Sequence, residues 1–269
     1  MIKRTITGAV VAVLIYAWVF FSHITPILYA GTLILTILAV LEIFRLCKTD
    51  KPHIIYLSFG IAVLLLILPI SSYESLMILI LPVVMLVFTS MMIMLEKTDY
   101  LSGNNAICVA ISVMLLFKSI PYLRDLDNGF YYLIFAVTAS FITDVFAYIF
   151  GKAFGTKRLC PKISPNKTIE GAMGGIVCTM LVTMIAALLL QKHTDLRFDG
   201  ITLAIWSLLT SVIGQFGDLC MSVVKRIAGV KDFGNLLPGH GGILDRFDSH
   251  MMAIAFTLAF CTLTGGFIY

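Results

Sequence analysis

Charged residues are scarce in this 269-residue chain. Asp, Glu, Lys and Arg make up 13% of it, whereas 59% is hydrophobic and the mean hydropathy is +1.00. Soluble domains carry about 25% charged residues, because a surface in water needs them. The shortage excludes a soluble enzyme, a disordered tail and a fibrous repeat. The chain is therefore expected to fold in a membrane.

The sequence also lacks paired cysteine motifs. Its six cysteines contain no C-x-x-C pair, and most of them lie within apolar runs. We interpret them as small hydrophobic residues. Disulfide bonds and zinc ligation are accordingly not expected.

Long apolar segments are abundant, and a membrane-spanning helix needs about 20 such residues. The predicted spans are 5–21, 27–44, 54–70, 75–95, 104–123, 130–150, 170–190, 201–224 and 251–268. The first resembles a signal peptide, but no small-residue cleavage site follows it, so we expect it to be retained. The predicted fold is an all-α polytopic membrane protein with about nine transmembrane helices.

The positions of the basic residues predict the orientation. With the N-terminus in the cytoplasm, fifteen of the 19 Lys and Arg residues fall in cytoplasmic segments, three in outer segments and Lys118 in a span. Such a bias is typical of the positive-inside rule, and it places the C-terminus outside. The longest connections, 151–169 and 225–250, are then cytoplasmic, and connections of that length are typical of function or disorder.

The two halves of the chain differ in their intramembrane acids. Residues 1–129, with about five helices, contain one such acid, Glu42, for which we favour an interfacial ion pair with Arg45. We interpret this half as a transmembrane scaffold. Residues 130–269, with about four helices, are predicted to form the catalytic transmembrane region.

Five acidic residues of the second half lie near the cytoplasmic ends of four predicted helices. They are Asp144, Glu170, Asp218, Asp245 and Asp248. A carboxylate within a span costs about 2.5–3.5 kcal/mol on insertion scales. One acid at a helix end could simply be hydrated, but five at one depth beside two basic loops favour a shared site.

The spacing of these residues indicates a metal and phosphate site. Asp218, Ser222 and Lys225 form one polar stripe of a helix, and Asp245 and Asp248 share a face if they lie in a helical turn. Two adjacent carboxylates repel each other unless a cation lies between them. Hard oxygen ligands select Mg²⁺, which commonly completes its coordination with water and substrate phosphates.

Both cytoplasmic loops have features that suit phosphate. In the second loop, Gly241 and Gly242 precede a predicted helix start, where free N–H groups favour anions. His240 could donate to a phosphate, act as an acid or base, or only stabilise the loop. In the first loop, Ser164 and Lys167 could bind phosphate, while the same segment could also cap the following helix.

The strongest motif spans residues 222–248. It reads Ser222-x2-Lys225-Arg226-x4-Lys231-Asp232-x-Gly234-x2-Leu237-Pro238-x-His240-Gly241-Gly242-x2-Asp245-Arg246-x-Asp248. This pattern resembles the signature of the phosphatidate cytidylyltransferase (CDP-diacylglycerol synthase) family, with every defined position filled. The segments 144–151 and 164–171 also resemble that family, whereas the N-terminal half matches it only in hydropathy and span count.

The resemblance implies an enzyme of phospholipid biosynthesis. Members of this family transfer a cytidylyl group from CTP or dCTP to phosphatidate, giving CDP-diacylglycerol and pyrophosphate. The resemblance further implies Mg²⁺, a monovalent cation such as K⁺, and a homodimer in the cell (inner) membrane with its active site facing the cytoplasm. No nucleic-acid polymer is expected as a partner.

An in-line attack of the lipid phosphate on the α-phosphorus of CTP would assign roles to the motif residues. The expected metal ligands are Asp144, Asp218, Asp245 and Asp248. The expected catalytic residues are Lys225, Arg226, His240 and Arg246. The expected substrate-binding residues are Ser164, Lys167, Ser222, Lys231, Gly241 and Gly242.

Three other functions compete with this one. A secondary transporter or channel would also place acids within helices, but it favours midplane sites on broken helices. Another CTP-using lipid enzyme, such as a polyprenol kinase, remains open, whereas an alcohol phosphotransferase would need a D-x2-D-G-x2-A-R pattern that the chain lacks. A purely structural scaffold does not explain the five acids.

Overall fold

The computed structural model describes residues 13–46, 73–94, 103–236 and 241–269, together with the single positions 10 and 60. Helices dominate these ranges. They are α1 (Val13–His23), α2 (Thr25–Leu46), α3 (Tyr73–Met94), α4 (Gly103–Asp125), α5 (Gly129–Phe154), α6 (Ile169–His193), α7 (Gly200–Ile227) and α8 (Leu244–Thr264).

Six of these helices are long and apolar enough to cross a membrane: α2, α4, α5, α6, α7 and α8. The chain is therefore a multi-pass, predominantly helical membrane protein, as predicted. The predicted span 54–70 lies outside the described residues except for position 60. A total of nine helices and the orientation of the two termini stay predictions.

A short antiparallel hairpin departs from the all-α prediction. Its strands are β1 (Arg158–Cys160) and β2 (Ser164–Thr168), and they occupy part of the predicted loop 151–169. Five polar or imino residues in β2 lack the apolar alternation that indicates a strand, so this strand could not be predicted from the sequence. Helix α6 follows β2 directly, and the Thr168 side chain caps it by accepting from the Gly171 N–H at 3.1 Å.

Helices α5 and α6 approach each other closely because glycines line their contact. A Cβ at Gly171 would lie 2.5 Å from the Ala147 carbonyl oxygen, and one at Gly175 would lie 2.8 Å from that of Thr143. Small residues allow such backbone contact between membrane helices. The hairpin that precedes α6 is consequently held beside the turn of α5 that carries Asp144.

Helix α8 lies at the centre of the fold. It packs against α2, α3, α4, α5 and α7, and most of its side chains are buried. It begins at Leu244, earlier than the predicted span at 251, so Asp245 and Asp248 lie in its first two turns. Its contacts with α2, α3 and α4 give the two predicted regions, 1–129 and 130–269, a common core.

Glu42 of α2 connects the first region to the start of α8. Its two carboxylate oxygens accept from the backbone N–H groups of Ile243 and Leu244, each at 2.9 Å. The side chain is buried, and Arg45 contributes only a weaker electrostatic attraction. Arg45 is thus not the main partner of Glu42 that the sequence predicted, because the carboxylate binds a helix N-terminus whose unpaired N–H groups attract anions.

This geometry predicts that Glu42→Ala destabilises the fold. The substitution leaves two buried N–H donors without an acceptor, at about 1–3 kcal/mol each. Glu42→Gln keeps one acceptor oxygen and should fall between the wild type and Glu42→Ala in thermal unfolding of the detergent-solubilised protein. Arg45→Ala, at an exposed neighbouring position, is the control. An Arg45→Ala melting temperature as low as that of Glu42→Ala would contradict the capping role.

Candidate active site

A cavity of about 230 Å³ lies between α5, the hairpin, α6 and α7, and we call it the polar cavity because charged side chains stand in its mainly apolar wall. Its polar lining residues are Asp144, Asn166, Lys167, Thr168, Gln215 and Asp218. Three of the sequence-predicted site residues thus meet in one cavity, although they lie on three separate elements. The hairpin supplies the positive side of the cavity, and the two membrane helices α5 and α7 supply its acidic side.

Lys167 and Asp218 form an ion pair across this cavity. Each side chain is about a quarter exposed, at 25% and 24%, while the Lys167 Nζ itself is buried against Asp218. The Ser222 hydroxyl donates to the other Asp218 oxygen at 3.4 Å, which joins the first two members of the predicted stripe. The cavity therefore contains a cation whose present partner a phosphate could replace.

Asp144 brings a second carboxylate to the cavity from α5. Its Oδ2 accepts from the Ser249 hydroxyl of α8 at 2.7 Å. Asp144, Asp218 and Asp248 lie within electrostatic range of one another, and they come from α5, α7 and α8. The three carboxylates repel one another, and Lys167, Lys225 and Arg246 lie within the same range and offset part of that repulsion.

Lys225 is the cation between the two acids of α8. Its Nζ lies 2.8 Å from Asp245 Oδ1 and 3.9 Å from Asp248 Oδ2, and it stands over the Phe233 ring at 5.3 Å. The expected shared face of Asp245 and Asp248 is present. Lys225, the third member of the polar stripe, therefore points to α8, where its positive charge stabilises two carboxylates.

Asp245 also organises the loop between α7 and α8. Its Oδ2 accepts from the backbone N–H groups of Phe233 at 2.8 Å and Gly242 at 2.9 Å. Gly241 has a φ of +81°, and a Cβ there would lie 2.7 Å from the same oxygen. The backbone of the glycine turn, which we expected to bind a phosphate, thus bonds to a carboxylate of the protein itself.

Arg226 connects the two long loops that were predicted to be cytoplasmic. Its Nε donates to the Ile163 carbonyl oxygen in the hairpin turn at 3.0 Å, and a terminal nitrogen donates to the Val230 carbonyl oxygen at 3.1 Å. Both bonds go to the backbone of the protein. In this structure Arg226 positions the hairpin over α7, a task that the motif alone does not reveal.

Glu170 was grouped with the other acids on sequence, but its contacts lie elsewhere. It accepts from the Thr156 hydroxyl and from the Lys157 N–H at 3.2 Å, and it is half-buried. It ties the start of α6 to the base of the hairpin. The acidic residues that interact with one another at this site are therefore aspartates, whereas Glu170 stabilises the base of the hairpin.

The remaining predicted residues are spread around this centre. Ser164 begins β2, and Lys231 is exposed in the loop after α7. Arg246 lies in the first turn of α8, with a buried Nε that has no hydrogen-bond partner among the described residues. His240 lies outside the described residues.

The aspartates suit a hard divalent cation bound together with a ligand. Among the described residues, no three His, Cys, Asp or Glu side chains converge into a complete metal cage. Mg²⁺ seldom needs such a cage, because one or two carboxylates, water and substrate phosphates commonly complete its octahedron. Asp144 and Asp218 supply two carboxylates in a cavity open to a ligand, so the donor chemistry fits Mg²⁺.

Comparisons with known proteins agree with the motif. The model of the "Cytidylyltransferase family" matches residues 2–264. A protein of Staphylococcus epidermidis named "Phosphatidate cytidylyltransferase" is 35% identical over 260 residues, covering 93% of this chain and 95% of that protein. A protein of Staphylococcus saprophyticus with the same name is 33% identical over 265 residues, with the same two coverages.

A third relative is similar over about half of the chain. The Bacillus subtilis protein named "Phosphatidate cytidylyltransferase" is 44% identical over 148 residues, 55% of this chain and 54% of that protein. The resemblance predicted from the motifs is therefore confirmed, and an enzyme is favoured over a transporter or a scaffold. This chain belongs to the cytidylyltransferase family.

Proposed function

We propose that the chain transfers a cytidylyl group from CTP or dCTP to phosphatidate, giving CDP-diacylglycerol and pyrophosphate. The observation that carries this proposal is the polar cavity in which Lys167 faces Asp218 and Asp144. A multi-pass membrane protein with a phosphate-sized polar cavity can receive one substrate from water and one from lipid. The names of its relatives support the same pair of substrates.

The Lys167–Asp218 pair supports a role in phosphate binding. A charge-assisted bond from an ammonium group to a phosphate is as favourable as one to a carboxylate. When a triphosphate replaces Asp218 as the partner of Lys167, the carboxylate becomes available as a ligand for a cation. In the absence of substrate, Lys167 and Asp218 thus neutralise each other in the cavity, and each can bind a ligand once the pair separates.

Mg²⁺ is the proposed cofactor, with Asp218, Asp144 and Asp248 as the residues that would hold it. When bound, it would neutralise negative charge on the triphosphate oxygens. Asp245 is less suited to this role than we expected, since both of its oxygens already accept hydrogen bonds from Lys225, Phe233 and Gly242. We assign Asp245 and Lys225 to positioning Asp248.

The proposed chemistry is a direct in-line displacement. An oxygen of the lipid phosphate forms a bond with the α-phosphorus of CTP, and the bond from that phosphorus to the bridging oxygen of the β-phosphate breaks. The electron pair leaves with pyrophosphate. A phosphate oxygen is already ionised near neutral pH, so no general base is required. Lys167 would contribute by orienting and neutralising a phosphate, which is the main catalytic contribution in such transfers.

The cavity is proposed to open to the cytoplasm, where CTP is available. Its basic side comes from the hairpin within the segment 151–169, which contains five basic residues. Segments rich in Lys and Arg are retained on the cytoplasmic side of bacterial membrane proteins. The lipid phosphate would approach the same cavity from the inner leaflet.

The direct test is product formation by the purified protein. We expect labelled CTP, phosphatidate in mixed micelles and Mg²⁺ to yield a CDP-lipid and pyrophosphate in equal amounts, and chelation of Mg²⁺ to stop the reaction. Diacylglycerol and a polyprenol should not be phosphorylated by CTP. Absence of a CDP-lipid with a folded protein, or phosphorylation of either alcohol, would overturn the proposal.

The aspartate assignment predicts that Asp218→Asn and Asp248→Asn each lower turnover by about 100-fold or more, because a carboxylate that would hold the charge-neutralising cation is lost. Both variants should elute as folded protein in size-exclusion chromatography. Asp195→Asn, at an exposed position between α6 and α7, is the matched control and should retain activity. Near-normal turnover in either of the first two variants would exclude that residue as a metal ligand.

A further inference from the structure

A second cavity, of about 270 Å³, lies between α1, α2 and the first turn of α8. Its lining is apolar, with Ile15 and Trp18 on α1, Ile34 and Leu35 on α2, and Phe247 on α8. Arg246 is the one charged residue among the described residues that line it. A pocket of this kind suits a ligand with a hydrocarbon chain and one anionic group.

Arg246 forms no ion pair with a carboxylate in the part of the chain that the structure describes. Its Nε is buried and makes no hydrogen bond to any described residue. Burying a donor of a charged group without an acceptor is costly, so such an atom indicates a ligand that supplies one. A guanidinium group presents paired N–H donors, and their spacing matches the oxygens of a carboxylate or a phosphate.

Arg246 also lies between the two cavities. It is within electrostatic range of Asp144, which lines the polar cavity, and its own side chain lines the apolar one. It stands in sequence between Asp245 and Asp248. A phosphate held by Arg246 would therefore be close to the carboxylates of the polar cavity, while a chain attached to it would extend away from them.

The apolar cavity extends along α2 into the membrane. Glu42 marks the level at which α8 begins, since it bonds to the Ile243 and Leu244 N–H groups. Ile34 and Gly31 lie eight and eleven residues earlier on α2, which is about 12–17 Å along the helix axis. The predicted orientation places these residues deeper in the bilayer than Arg246, so the cavity has the length and direction of part of an acyl chain.

We propose that this apolar cavity binds one acyl chain of phosphatidate and that Arg246 binds the phosphate of the same lipid. This assignment rests on the proposed function and names the lipid subsite of that reaction. Trp18 forms one wall: its ring packs on Gly31, where a Cβ would lie 2.2 Å from Nε1, and its Nε1 donates to the Ile27 carbonyl oxygen at 3.3 Å. A bound chain would contact this ring.

The position of Trp18 permits a binding test that needs no turnover. The chain has two tryptophans, and the other, Trp206, is fully buried against Phe135, Phe267 and Thr257. Bromine atoms on an acyl chain quench tryptophan fluorescence on contact. We expect brominated phosphatidate to quench the fluorescence at lower mole fractions in detergent than brominated phosphatidylcholine does, and Trp18→Phe to remove that difference.

Arg246→Gln should raise the phosphatidate mole fraction for half-maximal quenching by about tenfold or more, since a charge-assisted bond is lost. Ile34→Phe narrows the pocket at a lipid-exposed position and should weaken quenching, whereas Leu188→Phe, equally lipid-exposed on α6, should not. Equal quenching by the two lipids, or unchanged quenching in both Arg246→Gln and Ile34→Phe, would overturn the lipid subsite. Formation of a CDP-lipid by the same preparation would then show that the proposed function stands without it.

Discussion

Buried carboxylates at the start of α8 impose the constraint on which the rest of the structure depends. Glu42, Asp245 and Asp248 are each less than a tenth exposed. An unpaired charge in such surroundings would cost several kcal/mol, so each needs donors close by. Glu42 accepts hydrogen bonds from the N–H groups at the start of α8, and Asp245 accepts them from Phe233 and Gly242 in the preceding loop. Lys225 lies between Asp245 and Asp248. These bonds connect α2, α7, the loop and α8.

The carboxylates of this region fall into two sets, one that stabilises the fold and one that can bind a ligand. Glu42 and Asp245 have no free oxygen, because the protein occupies both oxygens of each. Asp218 is more exposed, and its salt-bridge partner, Lys167, lines the same cavity. Fixed charges arranged before the substrate arrives are the main source of catalysis in phosphoryl-type transfers. The buried set therefore fixes the start of α8, and Ser249 in the second turn of that helix bonds to Asp144 in the acidic side of the cavity.

Properties that depend on composition or on one helix could be predicted from the sequence. The low charge predicted a membrane protein, and helical periodicity predicted that Asp245 and Asp248 share a face and that Ser222 meets Asp218. Contacts between distant segments could not be predicted. Glu42 bonds to residues more than 200 positions away, and Arg226 recognises backbone carbonyls that no residue type reveals. The neighbouring sequence favoured Arg45 as the partner of Glu42 and a phosphate as the ligand of the glycine turn, because it contains no information on these distant contacts.

Substrate protection of a single cysteine tests most directly whether the polar cavity binds the nucleotide. Tyr148 is 69% exposed and lines that cavity, so Tyr148→Cys, in a chain whose six native cysteines are replaced by serine, should react readily with a polar thiol reagent. The account predicts that CTP with Mg²⁺ slows this reaction strongly, while Asp195→Cys in the same background is unaffected. Equal modification rates of the Tyr148→Cys protein with and without CTP would contradict it.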